Sequence, residues 1–216
     1  MRYSAITFPA LLLKAVLAAP AAQETSLQGR GFKLPANLTD GFYAAYFNET
    51  GHEVHELIRG PATPEEIARY YEAVASDPQP EAQLEARQNP GATYWCGCGL
   101  SMHHGDCDAA VEDLKVQSDN CYGSWDCDNL IRPGLAWYSI RGSVVAFECN
   151  LNWLLVPASR RDGQTDIFQK ITNKCGWYVP GTWANNNGLT PFIGYMNYRA
   201  NLDFCTDSIS SNRPFC

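Results

Sequence analysis

All nine cysteines and all six tryptophans of this 216-residue chain lie at or beyond residue 95. A stretch that rich in cysteine folds around metal ions in a reducing compartment and around disulfides in an oxidising one. The N-terminus decides between them. Residues 1–22 read MRYSAITFPALLLKAVLAAPAA, with Arg2 at the start, an apolar run broken by Lys14, and small residues (Ala18, Ala19, Ala21, Ala22) at the end. That is the pattern of a secretory signal peptide. No later apolar run has the roughly 18 residues of a membrane span. The chain is therefore expected to be secreted and extracellular. Cys96, Cys98, Cys107, Cys121, Cys127, Cys149, Cys175, Cys205 and Cys216 are disulfide candidates, and neither metal nor cofactor is expected. Nine is odd, so one thiol stays unpaired or forms an intermolecular disulfide. The crowded Cys96 or Cys98 is the expected odd one. The number of possible pairings leaves connectivity open.

Net charge is −7, and beyond Arg87 nine Lys and Arg face twelve Asp and Glu. No basic field exists to hold nucleic acid or anionic lipid.

Three regions follow: the leader 1–22, a cysteine-free segment 23–87, and a disulfide-rich domain 88–216. The middle segment carries two N-glycosylation acceptors, Asn37-Leu38-Thr39 and Asn48-Glu49-Thr50. Gly41–Phe47 and Glu53–Ile58 read as a hairpin. Thr63-Pro64-Glu65-Glu66 starts a helix over Pro64–Ala75, with Thr63 as cap and Glu66 closing the capping box. Ile67, Tyr70, Tyr71 and Val74 form its apolar face. A polar link, Glu81–Pro90, contains Leu84-Glu85-Ala86-Arg87. Secreted precursors are often cut after a basic residue, so Arg87 is the expected processing point. The segment is then a pro-segment; otherwise it is an N-terminal subdomain.

Beyond the link, Ala92–Gly97 reads as a strand. Cys96 and Cys98 are expected to bond to different partners. A helix runs from Asp106 to Val116, with Cys107, Ala110, Val111 and Leu114 on one stripe. A second runs from Asp166 to Lys174, with Thr165 as cap, Ile167, Phe168, Ile171 and Cys175 as its stripe, and Gly176 as its stop. Leu135–Arg141 and Ser143–Asn150 flank a turn at Arg141-Gly142, and Val145, Phe147 and Cys149 share a face. Trp153–Pro157 is expected to extend the sheet. Trp177–Val179 and Phe192–Tyr198 are the last strands, with Asn/Gly-rich 181–188 between them. The predicted class is α+β: two helices packed on one face of an antiparallel sheet, an α/β sandwich stabilised by disulfides.

Candidate chemistry is sparse. His52 and His55 in His-Glu-Val-His-Glu point to opposite faces of a strand, so they cannot share a metal and are expected to be solvated. His103, His104 and Asp106 form the one constellation suited to acid–base or metal work, beside Cys107. An exposed turn is the simpler reading. The aromatic residues around Trp177–Trp183 and Phe192–Tyr198 fit core packing or a sugar-stacking surface. No phosphate loop, G-x-S-x-G or H-E-x-x-H occurs.

The order Asp106-Cys-Asp-Ala-Ala-Val-Glu-Asp-Leu114, Gly142-Ser-Val-Val-Ala-Phe-Glu-Cys149, Asp166-Ile-Phe-Gln-Lys-Ile171, Cys175-Gly176 and Phe192-Ile-Gly-Tyr-Met196 resembles small secreted fungal proteins of the Ecp2 effector and killer-toxin-like group, over about residues 96–198. The resemblance implies a disulfide-braced sandwich of two helices on a sheet. It also implies a virulence or cell-death activity against a host plant or competing microbe. It carries no catalytic residues, so the chain is expected not to be an enzyme. The implied partner is a host or microbial cell-surface component, protein or glycan. Two alternatives remain: a carbohydrate- or cell-wall-binding module using an exposed Trp such as Trp183, and a small secreted hydrolase using His103 and His104.

Overall fold

Strand β1 (Gly41–Phe47) pairs on one side with β2 (Glu53–Arg59) and on the other with Leu135–Arg141, both antiparallel. That ladder joins the cysteine-free and cysteine-rich parts of the chain in one sheet. The structure, a computed structural model, describes residues 31–76, 91–120, 130–152, 154–157, 161–185 and 191–216. The expected leader, Arg87 and its link, Cys121 and Cys127 lie outside the described residues.

The remaining strands are β3 (Ala92–Cys96), β4 (Leu130–Ile131), β5 (Leu135–Arg141), β6 (Val144–Asn150), β7 (Val156–Pro157), β8 (Gly181–Asn185) and β9 (Phe192–Asn197). The main sheet has seven strands in the order β2-β1-β5-β6-β9-β8-β3, every neighbour antiparallel. Among the described residues three helices accompany it: α1 (Pro64–Ser76), α2 (His104–Asn120) and α3 (Arg161–Cys175). The predicted capping box of α1 forms, with Thr63 N–H donating to Glu66 Oε2 at 2.8 Å and Glu66 N–H to Thr63 Oγ1 at 3.3 Å.

Several expected boundaries move. Helix α3 starts at Arg161, so Thr165 lies inside it and does not cap it. Gly176, at φ +101°, stops the helix as predicted. Trp177–Val179 is a turn, and the strand occupies Gly181–Asn185, part of the expected link. Trp183 faces inward from it and is buried. Val156–Pro157 pairs with β4 in a separate two-stranded sheet and does not extend the main one.

Helices α2 and α3 cover one face of the sheet, as the stripes require. Cys107, Ala110 and Leu114 of α2 and Ile167, Phe168 and Ile171 of α3 pack on Phe42, Trp137, Ala146 and Ile193. The opposite face is not open. Phe32 and Leu34 before β1, and Leu202, Phe204 and Cys205 after β9, pack there on Tyr43, Tyr138, Val145 and Phe147. The sequence sign of a second covered face is the absence of alternation: all seven residues of β6 are buried.

Disulfides Cys96–Cys175, Cys98–Cys216 and Cys149–Cys205 tie α3 to β3, the C-terminus to the turn after β3, and the post-β9 segment to the sheet. Cys96 and Cys98 thus take different partners, and neither is unpaired. The free cysteine among the described residues is Cys107, buried on the α2 stripe.

A buried polar clamp holds the loop between β2 and α1. Asp113 Oδ1 accepts the Ala62 N–H at 2.5 Å, Gln117 Nε2 donates to Gly60 O at 3.2 Å, and Arg141 Nη2 donates to Ala62 O at 3.3 Å. Burial raises the Asp113 carboxyl above the ordinary aspartate range, against the pull of the Ala62 N–H and of Arg141, 3.8 Å away. A group with a raised folded pKa binds its proton more tightly in the native state, so its ionisation opposes folding. Stability from this group should therefore rise as pH falls from neutral through that raised pKa. Asp113→Asn keeps the acceptor for Ala62 and offers an N–H toward Gln117 Oε1, a buried atom without a partner. We expect the variant to gain on the order of 1 kcal/mol at neutral pH, with the gain shrinking on acidification. Urea unfolding across pH measures this. A variant less stable at neutral pH would mean that the Arg141 ion pair outweighs desolvation.

Candidate functional site

Next to their buried stripes, and sharing Val111 and Phe168 with them, α2 and α3 place a set of residues along their seam. On α2 these are Asp108, Val111, Glu112 and Lys115; on α3 they are Thr165, Phe168, Gln169 and Thr172. Both sets follow the i, i+3 or i+4, i+7 spacing of one helix face. They line a groove of about 260 Å³, closed at one end by Trp177 and Tyr178 and floored by Cys107 and Tyr195.

The groove's chemistry is mixed. Glu112 pairs with Lys115 Nζ at 2.6 Å and also accepts the Tyr71 hydroxyl of α1. Lys115 lies over the rings of Tyr70 and Tyr71. Tyr71, expected on the apolar face of α1, is thus a half-exposed partner of α2. Thr172 Oγ1 and the Tyr195 hydroxyl share a hydrogen bond at 3.1 Å, and burial pushes Tyr195 up to about 12. Burial, helped by Asp108, pushes the Cys107 thiol up to about 12 as well. A thiol that weakly acidic is a poor nucleophile at neutral pH, so Cys107 serves here as a small apolar floor residue.

The aromatic end is the unusual part. Trp177 is 73% exposed, the most exposed large hydrophobic side chain among the described residues. Tyr178 beside it has φ +58°, a left-handed conformation disfavoured for a bulky residue. Its ring stacks on His104, with centroids 3.9 Å apart, and its hydroxyl donates to Asp108 Oδ2 at 3.2 Å. Its carbonyl accepts the Met102 N–H at 2.9 Å. The Cys96–Cys175 disulfide fixes the start of this turn, and Cys216 N–H binds Lys174 O at 3.0 Å beside it. The surroundings therefore over-determine the strained backbone, and Trp177 stands on a braced ledge.

His103 and Asp106 do come together, at the N-terminus of α2 and outside the groove, with Nδ1 and Oδ1 3.0 Å apart. The neutral ring can instead accept the Asp106 N–H at 3.3 Å, as a helix cap does. Asp106 Oδ2 receives both the Ser143 N–H and the Ser143 hydroxyl at 2.8 Å. Those bonds hold its carboxyl below the ordinary range, the Ser143 backbone N–H most of all. A serine, a carboxylate and a histidine meet here, but the hydroxyl points at the carboxylate. Nucleophilic catalysis needs the base on the serine oxygen. In this arrangement the trio fastens α2 to the β5–β6 turn. Asp106→Ala should cost about 1–2 kcal/mol of stability, measurable by chemical denaturation. A loss of function without a loss of stability would reinstate the site as functional.

The other candidates separate. His55 is not solvated: it bonds Tyr138 OH and Glu53 Oε1, each at 2.7 Å, beneath the second face. His52 is exposed and bonds Thr50. No metal-holding group of His, Cys, Asp and Glu occurs among the described residues, nor does any helix there have the length and apolarity to cross a membrane. Asn37 and Asn48 are both exposed, in turns away from the groove. No family model, curated protein or solved structure matches the chain.

The sequence contained a signal for the groove in the 108/112/115 and 165/169/172 spacings, one position off the apolar stripes. Trp177 was legible only as one of several aromatics, and Trp183, named as the exposed one, is in the core.

Proposed function

We propose that this chain is a secreted, disulfide-braced protein of the effector or toxin-like kind. It acts outside the cell by binding a surface component of a host plant or competing microbe, without turnover. The observation that carries this reading is the braced ledge: an exposed Trp177 held in place by a strained tyrosine and a disulfide at the mouth of a groove. Tryptophan and tyrosine are among the residue types that dominate binding energy at interfaces. The resemblance over residues 96–198 supports the same conclusion. So does the engagement of the Asp106 carboxylate by Ser143, which gives the His103–Asp106 pair a structural task.

The test is retention of labelled protein on plant and fungal cells, with cell death as a second readout. Native protein and the His103→Ala variant should both be retained and active; reduced protein should be neither. Failure to bind or harm any cell would refute the reading. Substrate turnover abolished by His103→Ala would replace it with the hydrolase.

A further inference from the structure

We infer that the α2–α3 groove is a glycan site for a neutral, β-linked hexopyranose chain, with Trp177 as the stacking platform. The inference rests on the binding function proposed above and names its ligand class.

Size comes first. Drug-sized ligands occupy pockets of roughly 300–1,000 Å³; at about 260 Å³ this groove suits one sugar ring. The rest of a chain would run out over the open mouth.

The ledge supplies the second argument. An indole face exposed to water wants a flat, weakly polar partner that keeps its own polar groups wet. β-Linked gluco-configured pyranoses hold their substituents equatorial and present axial C–H groups as such a face. Trp177 would lose little conformational freedom on binding, because its turn is already fixed by the Cys96–Cys175 disulfide and by the contacts of Tyr178. Preorganisation of this kind reduces the cost of association.

Polar groups give the third. Asp108 of α2 and Gln169 and Thr172 of α3 line the groove from its two helices. Carboxylate, amide and hydroxyl groups supply both the acceptors and the donors that sugar hydroxyls and acetamido groups require. The formal charge of the lining is negative, since Asp108 and Glu112 face only Lys115. An acidic glycan such as a polyuronate would meet repulsion there. Both acceptor asparagines for the protein's own glycans lie in turns away from the groove, Asn37 beside the second-face cover and Asn48 at the β1–β2 turn.

Strain supports the assignment. Left-handed backbone at a bulky residue persists where surroundings enforce it, and such residues cluster at binding sites. Tyr178 is one of three non-glycine residues with positive φ among those described, and the one that lines the groove.

The experiment uses the full secreted chain. Co-sedimentation with insoluble chitin and insoluble β-1,3-glucan, and titration with their soluble hexasaccharides by calorimetry, separate the two sources of the same chemistry. At least one should bind, and polygalacturonate should not. Trp177→Ala should weaken binding at least about tenfold. Trp177→Phe should fall between, and Leu57→Ala, an exposed apolar residue on β2, should match the wild type. Digestion of target cells with chitinase and β-1,3-glucanase together should abolish retention. Three results would overturn the glycan assignment while leaving surface binding intact: equal binding by Trp177→Ala, retention that survives the combined chitinase and β-1,3-glucanase digestion, or cell binding without affinity for either polysaccharide. Absence of retention on every cell tested would instead sink the broader reading.

Discussion

Residues 88–216 secreted alone should fail to fold. They contain every cysteine, and by composition they are the natural candidate for a free-standing domain. In the structure they lack a wall. β1 pairs with β5 along its length, from Gly41 opposite Ile140 to Tyr46 opposite Leu135. Without it β5 becomes an unprotected edge whose residues Leu135 to Ile140 are all buried in the intact protein. Phe32, Leu34, Phe42 and Tyr43 leave the two cores with it. At about 1.5–3 kcal/mol for each buried side chain, their loss is comparable to the whole stability of a typical domain, roughly 5–15 kcal/mol. Asp113 and Arg141 lose their partners in the 60–62 loop besides. We expect residues 88–216 to aggregate or to be secreted at background levels, and co-secretion of 23–87 as a separate chain to restore soluble protein. Both are read by immunoblot of the medium and by circular dichroism. A folded, soluble 88–216 would show that the disulfides alone suffice.

The second large effect concerns Cys149–Cys205. Both sulfurs are fully buried, on the face that the N- and C-terminal segments cover. The bond closes a loop of 56 residues. Chain entropy alone makes such a loop worth about 4 kcal/mol. Cys149→Ala with Cys205→Ala also leaves small side chains beside Phe204 and Tyr138, so the packing deficit adds to the entropic one. For a chain of this size the double variant should melt roughly 10 °C lower. The Cys98–Cys216 pair closes a longer loop, of 118 residues, but it ends at the exposed C-terminus, next to the exposed Phe215, where releasing the tail returns entropy to the folded state and offsets the larger loop effect. Its removal is expected to fray the ledge beside Lys174 more than to lower global stability. Calorimetry on both double variants decides the ranking, and equal losses would contradict it.

Much of the fold was legible because local chemistry and tertiary structure agree. The Thr63–Glu66 box, the Gly142 turn and the two helical stripes each state a local preference that packing then uses. What was hidden lies in long-range pairing. Nothing in GFYAAYF names β5 as its neighbour, since strand order is set by which edges and faces find cover. The three disulfides among the described residues span 56, 79 and 118 residues for the same reason. Cys96 and Cys98 looked crowded in sequence, yet the chain turns between them and sends one sulfur to α3 and the other to the C-terminus. Cys107 gave no sign of being unpaired, because a buried thiol and a half-cystine are equally at home on an apolar stripe. The groove was half legible: its spacings are present, but only the packing of α2 against α3 makes two polar faces into one site. Trp177 and Trp183 are distinguished by six residues of backbone course that composition does not encode.

The central claim is that the cysteine-free segment works as part of the same sheet as the disulfide-rich part. The native mass of the protein purified from its own host tests it most directly, by non-denaturing mass spectrometry followed by denaturing analysis of the same sample. The account predicts that residues 31–76 are present in the native particle. They would appear either as one chain or, if cleavage occurs after Arg87, as a second, non-covalently held chain that separates only on denaturation. A native, active particle that begins near Gln88 and lacks the segment would contradict it.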